Sequence, residues 1–256
     1  AVLVSIGRGY TALDMGPRAI PLLREAETLM DQAGATALER GRTKAALRRA
    51  YSMVLDSASA VIAGQAAIEL LEGAAGAGED EILRVRINLL FDHLTLGDMP
   101  LDALRAKLEG IVSGLETRPD TDSELLIQAL AALSIASATA GDDEAATAQA
   151  GRALEIARQR YGPEDPALIY YRFTDSLSRI RSDPAAAVEA YRQQIADYER
   201  MNDGPTPGLG ALYAYAARAL AQLGRDGESL AMLERAEQVA RSFADVSPDF
   251  HLNVLS

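Results

Sequence analysis

A repeat of about 42 residues is the feature that most constrains the fold of this chain. Successive anchor positions lie 41, 42, 44, 41 and 42 residues apart, and they are occupied in order by Gly7, Arg48, Leu90, Ser134, Asp175 and Ala217. A fixed period of this size is typical of stacked supersecondary units, none of which can bury its apolar face alone. The sequence therefore predicts one repeat array over residues 1–256 rather than a globule with a single central core.

The positions that flank the anchors indicate two helices in each repeat. Twelve residues after the anchors stand Ala19, Ala60, Asp102, Ala146, Ala187 and Ser229, and nineteen after them stand Ala26, Ala67, Glu109, Ala153, Gln194 and Ala236. Apolar residues recur at spacings of three and four, as on one helical face, and small residues let two helix backbones approach closely. The third and fifth repeats fit this pattern less well than the others.

Turn-forming residues fall where a helix–turn–helix repeat requires them. Within repeats they lie at 14–17, 97–100, 141–143, 182–184 and 224–227, and between repeats at 73–79, 119–123, 162–166 and 204–210. The predicted repeats are 1–36, 37–78, 79–121, 122–165, 166–206 and 207–245, with 246–256 as a terminal segment or the start of another repeat. Because the chain starts inside a repeat and lacks an initiator Met, we expect a fragment of a larger protein.

The first repeat resembles the tetratricopeptide repeat (TPR) family. Leu3, Ile6, Gly7, Tyr10, Ala19, Leu23 and Ala26 follow the sparse pattern of that family. The period is longer than the usual 34 residues of the family, and it is similar to the variant found in kinesin light chains. The resemblance implies an all-α, right-handed superhelical solenoid of about six antiparallel helix pairs. It also implies that the first helix of each pair lines a concave groove that binds peptides or proteins.

Composition excludes several functional classes. The chain has no Cys, which rules out disulfides, thiolate catalysis and zinc–thiolate sites. We expect no metal and no cofactor, since the two His residues are far apart and no phosphate-binding or hydrolase motif occurs. A net charge of −12 disfavours nucleic acid and acidic membrane surfaces as partners. The apolar stretch 125–140 is interpreted as a buried helix. Oligomeric state stays open, and we favour a cytoplasmic location.

The TPR resemblance assigns ten residues to the concave groove. They are Arg8, Arg42, Arg49, Arg84, Asn88, Phe91, Arg172, Phe173, Tyr215 and Arg218. Every cation among them is Arg, whose forked donors suit carboxylates, so the groove is predicted to bind an acidic segment or a C-terminal carboxylate. The alternative is that these Arg residues pair with nearby Asp and Glu. Phe173 and Tyr215 suit the inter-helix core as well as a ligand, and His93 is interpreted as a packed residue rather than a catalytic base.

These patterns predict a non-catalytic scaffold or sensor module of a larger signalling or regulatory protein. Repeat arrays of this kind present extended binding surfaces. One alternative is a sensor for a small molecule or a peptide pheromone, which a deep, closed pocket would favour. The remote alternative is an all-helical hydrolase, which the lack of Trp for sugar binding disfavours.

Overall fold

The structure is a computed structural model that describes residues 2–12, 15–54, 56–118, 122–162, 165, 167–201 and 204–242. This part of the chain contains twelve α-helices and no β-strand, which confirms the predicted all-α class. The helices are α1 Val2–Ala12, α2 Gly16–Ala33, α3 Ala37–Met53, α4 Ser57–Glu72, α5 Glu79–Leu96, α6 Leu101–Thr117, α7 Ser123–Ala140, α8 Asp143–Tyr161, α9 Leu168–Ser178, α10 Pro184–Met201, α11 Pro207–Gln222 and α12 Asp226–Arg241.

Helix ends agree with the turn residues of the sequence, with one exception. Gly97 and Gly141 end α5 and α7 in the left-handed conformation, at φ values of 71° and 86°, which favours glycine. The prediction that residues 204–210 form a connection is wrong at its end, because α11 begins at Pro207. The hydroxyl of Thr206 accepts a hydrogen bond from the N–H of Leu209 at 3.3 Å and so caps the helix four residues before the predicted end of the connection.

The chain divides into two compact units, Ala1–Leu104 and Arg105–Ser256, here called the N-terminal unit and the C-terminal unit. In the N-terminal unit, consecutive helices from α1 to α5 pack on each other, and α1 also contacts α3. In the C-terminal unit, consecutive helices from α7 to α12 pack on each other, and α7 also contacts α9. Within each unit, helix pairs therefore stack side by side, with the second helix of one pair packed on the first helix of the next.

The predicted anchor positions lie at the packed interfaces between helices. Five of the six are buried: Gly7, Arg48, Leu90, Ser134 and Ala217. In the fifth repeat Asp175 is only half-buried, and the neighbouring Ser176 is buried instead. The other predicted positions of that repeat, Thr174, Ala187 and Gln194, are buried.

One hydroxyl joins the two helices of a pair in both the fourth and the sixth repeats, but from opposite sides. Ser134 of α7 donates a hydrogen bond to the carbonyl oxygen of Ala146 in α8 at 2.8 Å. In the sixth repeat Ser229 of α12 donates to the carbonyl oxygen of Ala217 in α11, also at 2.8 Å. The two positions, twelve residues apart, thus hold one Ser and one Ala in either order.

In the first two repeats, one large and one small residue likewise face each other where the two helices cross, in opposite order. A Cβ atom on Gly7 would lie 2.7 Å from Cγ of Leu23, so the Leu side chain occupies the space that a residue at the anchor would need. In the second repeat the anchor is the long Arg48, and its partner is Gly64, where a Cβ atom would lie 3.3 Å from Cδ of Arg48. Close packing permits one large side chain at each crossing.

Replacing Gly7 with Ala is expected to lower the free energy of unfolding by about 1–3 kcal/mol, because the added methyl group overpacks against buried Leu23. Gly9 is the matched control, since it lies on the same helix and an added Cβ would have nothing within 4 Å. There the better helix propensity of Ala should raise stability by about 0.5–1 kcal/mol. Urea unfolding followed by circular dichroism measures the stability of both variants. A change in stability of the same sign in Gly7→Ala and Gly9→Ala would contradict the packing argument.

Candidate functional site

The ten residues assigned to the groove divide between the two compact units. Six lie in the N-terminal unit, on α1, α3 and α5: Arg8, Arg42, Arg49, Arg84, Asn88 and Phe91. Four lie in the C-terminal unit, on α9 and α11: Arg172, Phe173, Tyr215 and Arg218. All ten lie on the first helices of their pairs.

One cation of the N-terminal group is already bound by a carboxylate of the protein. Arg42 donates two hydrogen bonds to Glu81, Nε to Oε1 at 2.7 Å and Nη2 to Oε2 at 2.9 Å. The hydrogen bond from Arg42 lowers the pKa of Glu81, with a smaller contribution from the nearby charge of Arg8. For Arg42 the alternative interpretation, pairing with a neighbouring acid, therefore describes the structure.

Two other cations of this group have no such partner. Arg8 and Arg49 are exposed, and neither forms an ion pair with a described residue. They occupy the same repeat position, directly after the anchor, on α1 and α3, which contact each other. The same position on α5 holds Phe91, which is half-buried. Equivalent positions on neighbouring first helices place these side chains on one side of the unit.

The remaining two residues of the N-terminal group lie one turn apart on α5. Arg84 is exposed. The amide Nδ2 of Asn88 donates to the backbone carbonyl oxygen of Arg84 at 2.8 Å, so this donor of Asn88 is used within its own helix. Within the described residues, Asn88 thus keeps its carbonyl oxygen and one N–H for a ligand.

The two aromatic residues of the C-terminal group pack on the core. The ring centroids of Phe173 and Tyr215 are 5.0 Å apart in an edge-to-face arrangement, and both rings lie against Tyr191 of α10, at 6.1 and 6.4 Å. Tyr191 is fully buried, whereas the other two are half-buried. This arrangement favours a packing role for Phe173 and Tyr215, with part of each side chain still exposed to solvent.

The two cations of the C-terminal group have different surroundings. Arg218 is exposed and forms no ion pair with a described residue. Arg172 lies 3.8 Å from Asp197 of α10, and it lines a cavity of about 550 Å³ between α8, α9 and α10. We call this cavity the α8–α9–α10 cleft. Sequence reasoning missed it, although Gln194 at a position that is Ala in four other repeats was a signal.

A buried polar cluster in the N-terminal unit was also missed. Arg48 donates to Oδ2 of Asp92 at 2.8 Å, and the hydroxyl of Ser52 donates to the other carboxylate oxygen. His93 is buried as predicted, and its Nδ1 is 2.7 Å from Oδ1 of Asp98. Since the Ser and His side chains bond to different carboxylates, they do not form a nucleophile–base pair. The cluster joins α3 to α5 and is structural.

Two further tests concern metals and membranes. Within the described residues, no group of three or more His, Cys, Asp or Glu side chains could hold a metal ion. By length and composition alone α7, with 18 residues and a mean hydropathy of 1.4, could cross a membrane, but 56% of it is buried within the protein. The core helix of a folded domain passes the same test, and α7 packs on α8 and α9.

The helix pairs and their stacking define the class: an all-α fold of the TPR-like type. Among solved structures, BtubC (BKLC) from P. vanneervenii is similar, with 12% sequence identity, a TM-score of 0.59, and coverage of 94% of this chain and 92% of that chain. At this identity the likeness establishes the fold alone.

Two further structures resemble the chain more weakly, both of a putative kinesin light chain with nearly identical TPR-like repeats from Podosopora anserina. One has 16% identity, a TM-score of 0.39, and coverage of 93% of each chain. The other, a point variant of that protein, has 16% identity, a TM-score of 0.41, and coverage of 96% of this chain and 95% of that chain. No known family profile and no curated protein matches the sequence.

Proposed function

We propose that this chain is a non-catalytic scaffold that binds an acidic segment of a partner protein through arginines on its first helices. The observation that carries the proposal is the pair Arg8 and Arg49, which are exposed and form no ion pair with a described residue, on neighbouring helices. In a chain of net charge −12, cations that form no ion pair within the described part of the protein are available to a ligand. Arg forks bind carboxylates with two parallel hydrogen bonds.

The Arg42–Glu81 pair supports the same proposal in a second way. Glu81 accepts both donors of Arg42 and lies near Arg8. The carboxylate of Glu81 thus shows how an acidic side chain of a partner protein would bind an arginine of this surface. In the C-terminal unit, Arg218 holds the equivalent repeat position on α11 and is also exposed. A cytoplasmic, regulatory setting belongs to the proposal, and imaging of the tagged protein in cells tests it.

Charge reversal at Arg49 tests the proposed surface. Peptides rich in Glu and Asp are selected from a library, labelled with fluorescein and titrated by fluorescence anisotropy. We expect Arg49→Glu to weaken binding at least tenfold, because a hydrogen bond to a charged group contributes about 1.5–3 kcal/mol. Binding should also weaken as salt is added, since the contacts are exposed.

The matched control is Arg40→Glu. Arg40 is on the same helix, is similarly exposed, and is already paired with Asp31 at 2.9 Å. Its reversal changes the net charge by the same amount at a different position, so binding should change by less than about threefold. Equal losses in the two variants would show a general effect of charge and would remove Arg49 from the site.

A further inference from the structure

The α8–α9–α10 cleft lies within the C-terminal unit and shares one residue, Arg172, with the predicted groove. Its volume of about 550 Å³ is within the range of small-molecule pockets, about 300–1,000 Å³. Leu154, Ile169 and Ala190 provide apolar lining from the three helices, one residue from each. Most of the other lining residues are charged or carry amides, so the cleft combines an apolar wall with polar groups that could orient a ligand.

Gln194 is the residue of the cleft whose side-chain carbonyl lacks a partner. It is 7% exposed, and its amide Nε2 donates to Oγ of Ser176 at 2.8 Å and to the carbonyl oxygen of Arg172 at 3.4 Å. The hydroxyl of Ser176 itself donates to that carbonyl, so both neighbours of the amide are acceptors. The NH₂ end of Gln194 must therefore face them, and its Oε1 points away with no donor among the described residues.

Two carboxylates of the cleft, Asp175 and Asp197, are satisfied by cations of the protein, and the third, Asp165, accepts a hydrogen bond from the backbone N–H of Ala167 at 2.8 Å. Asp197 accepts from Gln193 at 2.8 Å and also pairs with Arg172 and Arg200. Asp175 accepts two hydrogen bonds from Arg179, at 3.0 and 3.1 Å. These acids have no need of a cation from a ligand.

One cation in the lining has no such partner. Arg158 of α8 is exposed and forms no ion pair with a described residue. Two unmet requirements therefore remain around the cleft: an anion for Arg158 and a hydrogen-bond donor for Oε1 of Gln194. A ligand that supplies both must carry a carboxylate beside an N–H group.

We propose that the α8–α9–α10 cleft binds an N-acyl amino acid or the last residue of a peptide, with the carboxylate on Arg158 and the adjacent N–H on Gln194. The apolar wall of Leu154, Ile169 and Ala190 then contacts the side chain of that residue, which favours Leu or a residue of similar size. The ligand groups are bound by Arg158 of α8 and Gln194 of α10, whereas the proposed scaffold surface uses arginines of the first helices, so substitutions test the two sites separately.

Isothermal titration with three probes tests the site: N-acetyl-leucine, acetyl-Ala-Ala-Leu, and the C-terminal carboxamide of the same tripeptide. We expect the carboxamide to bind at least tenfold more weakly than the free acid, because it lacks the charge that Arg158 binds. Arg158→Gln should weaken the free acid by a similar factor, and Gln194→Leu should weaken it severalfold. Arg241→Gln, which removes an exposed cation of the same unit outside the cleft, should leave the affinity unchanged.

The two acids distinguish the sources of the ligand. Equal affinities for N-acetyl-leucine and the tripeptide assign the site to a small molecule, and tighter binding of the tripeptide assigns it to a peptide terminus. Equal binding of acid and carboxamide, no effect of Arg158→Gln, or no heat with any probe at millimolar concentration would overturn the proposal. Circular dichroism verifies the fold of Gln194→Leu; if that variant unfolds, the exposed Arg158 still carries the test.

Discussion

Removing either member of the buried Arg48–Asp92 ion pair is expected to lower the free energy of unfolding of the N-terminal unit by about 3–5 kcal/mol. Arg48 is 8% exposed and Asp92 is 2% exposed. The variant Asp92→Asn leaves the guanidinium buried without a counter-charge, and Arg48→Met leaves the carboxylate with only the hydroxyl of Ser52. An unpaired charge in a nonpolar environment is among the most destabilising changes that a single substitution can make.

Replacing both members with apolar residues is expected to cost far less. Burial lowers the pKa of Arg48 and raises the pKa of Asp92, in each case against the opposing effect of the partner's charge. Both directions indicate that desolvation exceeds the attraction within the pair. The free energy of unfolding of the double variant Arg48→Met/Asp92→Leu should therefore lie within about 1 kcal/mol of that of the parent. It should be well above that of either single variant.

Urea unfolding of the four proteins in a double-mutant cycle measures this coupling. The exposed pair Arg86–Glu72, in the same unit, is the control, since each of its side chains is about half exposed. Arg86→Met should change stability by less than about 1 kcal/mol. Additive losses in the Arg48 and Asp92 double variant would contradict the argument, because the two charges would then not depend on each other.

The second large effect is expected at Tyr191, the aromatic residue at the centre of the C-terminal cluster. Tyr191→Ala should lower stability by about 3–5 kcal/mol, because the ring is fully buried against Phe173 and Tyr215. Tyr191→Phe should instead raise stability by about 1 kcal/mol. The hydroxyl of Tyr191 is buried and has no hydrogen-bond partner among the described residues, so its removal ends a desolvation cost.

Tyr213→Phe is the matched control for the hydroxyl. The hydroxyl of Tyr213 donates to Oε1 of Glu199 at 2.5 Å, so its loss should lower stability by about 1 kcal/mol. The same deletion of one oxygen thus has opposite signs at two tyrosines of one unit. Thermal unfolding of both Phe variants measures the sign of each change in stability. A loss of stability in Tyr191→Phe equal to that in Tyr213→Phe would indicate that the Tyr191 hydroxyl has a hydrogen-bond partner.

The repeat period predicted the helix pairs because packing slots recur along the chain. Small residues at Gly7, Ser134 and Ala217 identify the positions where two helices cross, and turn residues between them mark the ends. The same reasoning did not predict the burial at the fifth anchor, where Asp175 is half-buried and the next residue, Ser176, is buried. A pattern that tolerates several residue types at each position does not predict how deeply each side chain is buried.

The ion pairs could not be predicted from the sequence. Arg42 binds Glu81, 39 residues away, and Arg48 binds Asp92, 44 residues away. The chain contains 37 acidic residues, so spacing alone cannot select the partner of a given Arg. The repeat pattern predicted that these cations lie on first helices. Only the three-dimensional structure shows which of them are paired: Arg42 and Arg48 form ion pairs, whereas Arg8 and Arg49 form none with a described residue.

The exchange of residue sizes between paired helices has a consequence for how such chains can be recombined. A hybrid of α1 with α4 would set Gly7 opposite Gly64 and leave a void, and one of α3 with α2 would force Arg48 onto Leu23. Likewise, α7 joined to α12 would face two Ser hydroxyls across one crossing. Duplication, deletion or shuffling of whole helix hairpins should therefore give chains that fold, whereas exchange of single helices should not. The hairpin is thus the smallest segment that can be rearranged in this fold.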